Sequence, residues 1–317
     1  MNEMNHSKMI IDADTGIDDA LAILAALKSG KADLAGITTV FGNIPVEMAT
    51  DNTLRLLKLA GFENAIPVSQ GASRPLARGV EFATHVHGKN GIGDVELPAS
   101  SQAAVEEPAD DFIVRTADEL GGELVIVSLG RLTNVAQALR KDPSLPSKVK
   151  HLYIMGGAVR VPGNVTQVAE ANIWGDPEAA EAVMQSGMAI TLIGLDVTMR
   201  TLLHQSDLDR LQRTCKPENR AVADFINRSM QYYFEFYRQS NGFEACAPLH
   251  DPLTVLAAIE PGLVAMESMR LSVECEGRHC IGMTVADLRN RPAVGQPVQV
   301  GVEVDAERAV NALMAIF

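Results

Sequence analysis

A chain of 317 residues, 47% of them hydrophobic, can bury enough core for one large domain or two small ones. Its formal charge of -13 argues against nucleic acid, whose binding relies on clustered Lys and Arg to neutralise phosphates, and suits a neutral or cationic small molecule. No apolar run approaches the length of a membrane span, and the opening MNEMNHSK lacks the charged-then-apolar order of a leader, so a cytoplasmic protein off the membrane is expected. The four cysteines, Cys215, Cys246, Cys275 and Cys280, form no C-x-x-C pair and read as reduced thiols.

The first element is a short apolar strand, Met9 to Ile11, and it runs into four aspartates within eight residues: Asp12, Asp14, Asp18 and Asp19. A helix-patterned segment with Leu21, Ile23, Leu24 and Leu27 leaves them. The carboxylates therefore occupy a strand-to-helix turn, where open α/β sheets place ligands. Like charges this close resist desolvation together unless a positive group offsets them. Oxygen-only ligands suit a hard cation, Ca²⁺ or Mg²⁺. Helix capping explains Asp18 or Asp19 alone, but explains Asp12 and Asp14 poorly, since both end a strand.

Further β-rich runs follow from Leu34, Ala65, Glu123, His151 and Ala189, with helical patterns at Val46 to Leu59, Asp110 to Leu120 and Pro177 to Gln185. The alternation predicts an α/β fold built on one open, twisted, largely parallel sheet flanked by helices, Rossmann-like in architecture. Strands ending in Asn43, Gly130 and Asp196 place polar residues where such a sheet assembles a shared site. Between them, HVHGKNGIG sets His85 and His87 beside three glycines. GNVTQVAEANIWGDP carries Asn164, Glu170, Asn172 and Asp176 ahead of a helix.

From Gln205 to Tyr237 the pattern is helical and ends in an aromatic cluster, Tyr232, Tyr233, Phe234, Phe236 and Tyr237. These rings cannot all face one core, so some should cap a pocket or an interface. His250 and Asp251 then precede Pro252 and an apolar helix. Asp176-Pro177 and Asp251-Pro252 both fit a helix cap followed by proline; Asp176 is read as that cap, while Asp251 fits either a cap or a site. Strands near Met269 to Cys275, Gly282 to Val285 and Val298 to Val304 and a helix from Ala306 complete the chain. No linker marks a boundary, so residues 1–317 are expected to form a single domain.

The runs DADTGIDDALA, ITTVFGN, SLGRLTN, MGGA, GNVTQVAEAN and PLHDP, in this order and spacing, resemble the inosine-uridine preferring nucleoside hydrolase family over nearly the whole chain. That resemblance implies hydrolysis of ribonucleosides to base and ribose in purine or pyrimidine salvage, by a homodimer or homotetramer. It implies Ca²⁺ held by Asp14, Asp19, Asp251 and the carbonyl of Leu129, with Asp14 also the general base. Asp18, Asn43, Asn164, Glu170 and Asn172 match positions that hold the ribose. His250 matches the acid for the leaving base, His87 a base-side histidine in a closing loop, and Asp12 a supporting position behind the metal.

Two residues depart from the pattern. Arg131 stands where proline or a small residue is usual, and Ala171 where an aromatic is common; neither is expected to touch the metal set, and Ala171 opens a wall near the base. Two other readings compete. IIDADTG also resembles the D-x-D-x-T opening of haloacid-dehalogenase-like phosphatases, which would give PLHDP and AEAN no role. A Ca²⁺-dependent nucleoside- or sugar-binding protein would not need Asp14 and His250 together.

Overall fold

The computed structural model describes residues 7–317; the first six, part of the stretch read above for a leader, lie outside it. In chain order the elements are β1 (Ser7–Ala13), α1 (Ile17–Lys28), β2 (Ala32–Thr39), α2 (Val46–Ala60), β3 (Val68–Gln70), α3 (Thr84–His87), α4 (Ala109–Leu120), β4 (Leu124–Ser128), α5 (Thr133–Lys141) and β5 (Val149–Met155). They continue with α6 (Ala171–Gly175), α7 (Pro177–Met184), β6 (Ile190–Ile193), α8 (Leu195–Thr198), β7 (Leu202–His204), α9 (Gln205–Thr214) and α10 (Arg220–Asn241). The last are β8 (Cys246–Pro248), α11 (Asp251–Ile259), β9 (Val264–Val273), β10 (Thr284–Ala286), β11 (Gln296–Val304) and α12 (Ala306–Ile316).

Nine strands form one mixed, mostly parallel sheet in the order β10-β9-β11-β6-β5-β4-β1-β2-β3. The chain builds outward from β1 through β2 to β3, returns, and builds the other way from β4. β1 and β4 thus run parallel side by side, Asp12 opposite Ser128, at the point where strand order reverses. Their carboxyl ends diverge into separate turns there, and the crevice between them is where such sheets bind ligands.

The local chemistry explains these placements. Residues Met9 to Ala13 are wholly buried, as a central strand covered on both faces must be. α1 is buried everywhere except Lys28, so its aspartates enter the interior with the helix rather than lying on a wet face. α1 packs on α11, and the first turn of each carries the carboxylates Asp18, Asp19 and Asp251. Helix N-termini present unpaired N–H groups, which favour negative charge there. Two apolar cores lie against the sheet: one includes α1, α10, α11 and α12, the other α5 and α7.

Some boundaries differ from the sequence expectation. The helical stretch from Gln205 breaks between α9 and α10, where Pro217 removes an N–H and Lys216 is extended at ψ 147°. β9 begins five residues before Met269. Residues Ala265 to Ser268 are exposed, so no apolar alternation announces that half; the antiparallel ladder with β11 holds it. The small antiparallel pair β7-β8 was not anticipated, and it leads directly into His250 and Asp251.

Candidate active site

The turn after β1 places Asp14 on the floor of the crevice. Its Oδ2 accepts from the Asn43 backbone N–H at 2.7 Å, and its Oδ1 from Asn43 Nδ2 at 3.2 Å. Asp19, at the third position of α1, accepts from the backbone N–H of Asp14 (3.2 Å) and of Gly16 (2.8 Å), and from Asn43 Nδ2 (3.1 Å). It therefore closes the turn and caps its own helix while presenting charge to the site. Asp12 lies behind, fully buried, accepting from Thr38 Oγ1 (2.6 Å) and Asn134 Nδ2 (2.8 Å).

Oxygens of Asp18, Asp19 and Asp251 lie within 4.8 Å of one another. Burial, then neighbouring carboxylates, pushes Asp18 and Asp19 up to about 6. Burial chiefly, with the charges of Asp18, Asp19 and Asp14, holds Asp251 well above the carboxylate range. Asp14 is likewise raised, by burial and by Asp19, against the lowering effect of Arg131. Asp12 reaches about 6 through burial, its hydrogen bonds holding it back. Asp18 Oδ1 is buried with no hydrogen-bond partner. Three buried carboxylates this close together, one of them with an oxygen left without a partner, offer an all-oxygen donor set that fits a hard divalent cation. Asp251 is the first residue of α11, one past the N-cap position held by His250, so it is not the cap, whereas Asp176 is the N-cap of α7 and accepts from Ala179 N.

Beside these carboxylates is a cavity of about 570 Å³, with Asp18, Asn43, His87, Leu129, Asn164, Glu170, Asn172, His250 and Asp251 on its walls; Asp14 and Asp19 are not among its lining residues. Glu170 caps α6, accepting from Asn172 N (2.9 Å), Ile173 N (3.2 Å) and Gly157 N (2.9 Å). Asn172 Nδ2 donates to the Leu129 carbonyl at 2.6 Å and to that of Met155 at 3.1 Å. The exposed Asn164 accepts from Ala171 N at 3.1 Å. Of the four expected metal ligands, the structure clusters Asp19 and Asp251, adds Asp18, and shows Asp14 and the Leu129 carbonyl on neighbouring protein donors.

The opposite wall is aromatic. Tyr233, Phe236 and Tyr237 of α10 face the cavity while Phe234 packs in the core, so the ring cluster divides as expected. Tyr233 donates to Asp18 Oδ2 at 3.2 Å, and its ring lies 5.6 Å from that of His87. His87 Nδ1 accepts from Ile17 N at 3.1 Å, and burial, then the Arg131 charge, lowers its pKa to about 3. It is therefore neutral, and its 3.9 Å approach to Asp18 is not an ion pair. Burial lowers His250 to about 4; its Nε2 lies 2.7 Å from Tyr237 Oη and its Nδ1 2.8 Å from Thr198 Oγ1.

The expectation for Arg131 is corrected. Its Nη1 lies 2.5 Å from Asp14 Oδ2 and 2.9 Å from Asn172 Oδ1, so it touches a proposed metal ligand directly. The side chain is long enough to pass from the end of β4 to the turn after β1, a reach that sequence position alone does not reveal. Tyr233, Tyr237 and Thr198 were also missed as individual contacts; the ring cluster was a signal for the tyrosines, and Thr198 had none. Ala171 does lie on the cavity wall, where its side chain is small.

The pocket lies at the switch point of an open α/β sheet, with carboxylates and amides on one side and aromatic rings on the other, the setting of an α/β protein with a small-molecule site. The chain belongs to the inosine-uridine preferring nucleoside hydrolase family, whose profile matches residues 9–311. It is 39% identical to uridine nucleosidase 1 of Arabidopsis thaliana, over 98% of this chain and 93% of that protein. The plant nucleoside hydrolase PpNRh1 superposes with a TM-score of 0.91 at 36% identity, covering 98% of both chains. A purine-preferring ribonucleoside hydrolase from Gardnerella vaginalis gives the same TM-score and identity over 98% of this chain and 97% of that one. The protein is thus a hydrolase of N-glycosyl compounds, and neither the phosphatase reading nor the non-catalytic binding-protein reading is retained.

Proposed function

We propose that this chain, as one domain, hydrolyses the N-glycosidic bond of ribonucleosides in a Ca²⁺-dependent reaction. The observation that carries the reading is the close-set, buried trio of carboxylates Asp18, Asp19 and Asp251, two of which, Asp18 and Asp251, line the cavity. A Ca²⁺ ion held by Asp14, Asp19, Asp251 and the Leu129 carbonyl would supply the charge that acidifies water and anchors ribose hydroxyls.

Asp14 takes the proton from water as its oxygen bonds to C1′ of the ribose. The C1′–N bond breaks with its electron pair going to the base, which takes up a proton from solvent while Asp14 releases to solvent the one it took, giving free base and ribose. The sugar passes through a cationic, oxocarbenium-like state, which the oxygens of Asp18, Asn43, Asn164, Glu170 and Asn172 stabilise while positioning its hydroxyls. His250, neutral near pH 7, acts through Tyr237: with Thr198 donating to Nδ1, Nε2–H donates to Tyr237 Oη, leaving the phenol proton free to hydrogen-bond the departing base.

The named relatives divide between uridine and purines at similar identity, and the small Ala171 leaves room on the base side. More than one base should be accepted, with inosine and uridine the first to try and 2′-deoxynucleosides poor. Assaying free ribose as reducing sugar across a nucleoside panel tests the reading; no ribose from any ribonucleoside in Ca²⁺-loaded protein would overturn it.

A further inference from the structure

Arg131 is a buried arginine joined to the carboxylate floor. Among the described residues it is the one Lys or Arg within ion-pair distance of Asp12, Asp14, Asp18, Asp19 or Asp251. Its Nη1 is shared between Asp14 Oδ2 and Asn172 Oδ1, while Nε is buried without a partner. Burying a guanidinium with part of its donor set unused is unfavourable unless a strong charge interaction offsets it, and here that interaction is with Asp14.

The surroundings are shaped to admit this side chain. A Cβ at Gly175 would lie 2.6 Å from Arg131 Nε and 2.8 Å from its Cγ. At Gly42 a Cβ would run into both the Asp14 carboxylate and Arg131 Nη1. Two separate segments, the loop after β2 and the end of α6, therefore lack side chains where the Arg131–Asp14 pair passes. Together with the ion pair, this makes Arg131 a built part of the floor.

We propose that Arg131 is a resident cation of the carboxylate cluster, which holds Asp14 in the metal-free chain and shares that carboxylate with the divalent ion. The inference rests on the Ca²⁺ reading above and deepens it. In the metal-free chain the guanidinium offsets part of the repulsion among Asp14, Asp18, Asp19 and Asp251. A divalent ion held by these carboxylates would be repelled by the same charge and would compete with the guanidinium for Asp14. Arg131 therefore stabilises the metal-free protein and weakens ion uptake. Its role is that of a positioning residue, acting through Asp14 and Asn172.

The test is calorimetric titration of chelator-stripped protein with Ca²⁺, together with melting temperatures with and without the ion, for wild type, Arg131→Met and Arg131→Lys. The Met variant should bind Ca²⁺ about tenfold more tightly, the scale expected from removing one nearby like charge from a partly buried site. It should also melt lower than wild type without metal and gain more on Ca²⁺ addition. The Lys variant, which keeps the charge, should bind about as weakly as wild type. Should the Met variant not fold, Arg131→Gln, which retains a donor for Asp14 without the charge, reads the same affinity. If wild type binds Ca²⁺ and the neutral variants bind no more tightly, or if Lys tightens binding as much as Met, the Arg131 inference falls alone. If stripped wild type takes up no Ca²⁺, the metal reading falls and this inference with it.

Discussion

His250→Ala should slow natural ribonucleosides while sparing p-nitrophenyl riboside, and the structure sets the size of the effect. Burial lowers the imidazole to about 4, so at pH 7 about one molecule in a thousand carries it protonated. Full proton donation from His250, which would be worth about 10²–10⁴-fold, is therefore not its expected contribution. What remains is a hydrogen bond through Tyr237 to a base that is gaining negative charge, worth about 1.5–3 kcal/mol, or roughly 10- to 10²-fold in kcat. Tyr237→Phe removes the hydroxyl that lies 2.7 Å from His250 Nε2 and should cost a similar factor. The double variant should lose little more than either single one, because the two groups form one chain. Steady-state kinetics on inosine, uridine and the nitrophenyl substrate would measure this, with circular dichroism to confirm folding, since His250→Ala also orphans the Thr198 hydroxyl. Equal losses on natural and activated substrates would show that His250 positions the ribose or supports the fold, and the leaving-group account would be wrong.

Chelator treatment should abolish ribose release and Ca²⁺ should restore it; full activity in protein shown metal-free by elemental analysis would refute the metal requirement. Asp14→Asn should lower kcat by at least about 10²-fold, since it removes the base and weakens ion binding together. Asp176→Ala should instead leave turnover of the folded fraction nearly unchanged but cost about 3 kcal/mol in denaturant melts, because Asp176 caps α7 and also accepts from Leu76 N (3.0 Å) and Thr133 Oγ1 (2.6 Å). Without metal, Asp12, Asp18 and Asp19 titrate at about 6 in the folded chain against 3.8 ordinarily, so the folded state binds more protons between those values and its stability falls as pH rises from about 4 to 6. Ca²⁺ competes with the same protons, so the rise in Tm on adding it should be larger at pH 7.5 than at pH 5; an equal rise at both would contradict the assignment.

The sheet was legible because its central strands are buried on both faces and read as short apolar runs between helical periods. Its switch point followed from where Asp12, Asp14, Asn43 and Gly130 end those runs. β9 shows where that signal stops. Residues Ala265 to Ser268 lie on an edge region whose side chains face water, so the segment is fixed by backbone pairing with β11, which leaves no hydrophobic trace. The single helical stretch from Gln205 was read through Pro217 because the apolar period resumes after it, although the proline breaks the hydrogen-bond ladder.

The candidate site divides along the same physical line. Residues at the end of their own strand or the start of their own helix, such as Asp14 and Asp19, were marked as a candidate site by local order, whereas Asp251 fitted a cap or a site equally on local order alone, and the family resemblance singled it out. Residues that arrive by a long side chain were not marked: Arg131 leaves the end of β4 and ends on the turn after β1, and only the gaps at Gly42 and Gly175 record its path. Those gaps lie in segments distant in sequence from Arg131 and from each other, and a glycine carries no mark of what passes over it. A position that departs from its family's pattern is therefore best judged by which atoms it meets across the fold. For Arg131 these are the carboxylate proposed as base and the amide proposed to hold the ribose, so the substitution bears on the floor of the site, whereas Ala171 bears on its wall.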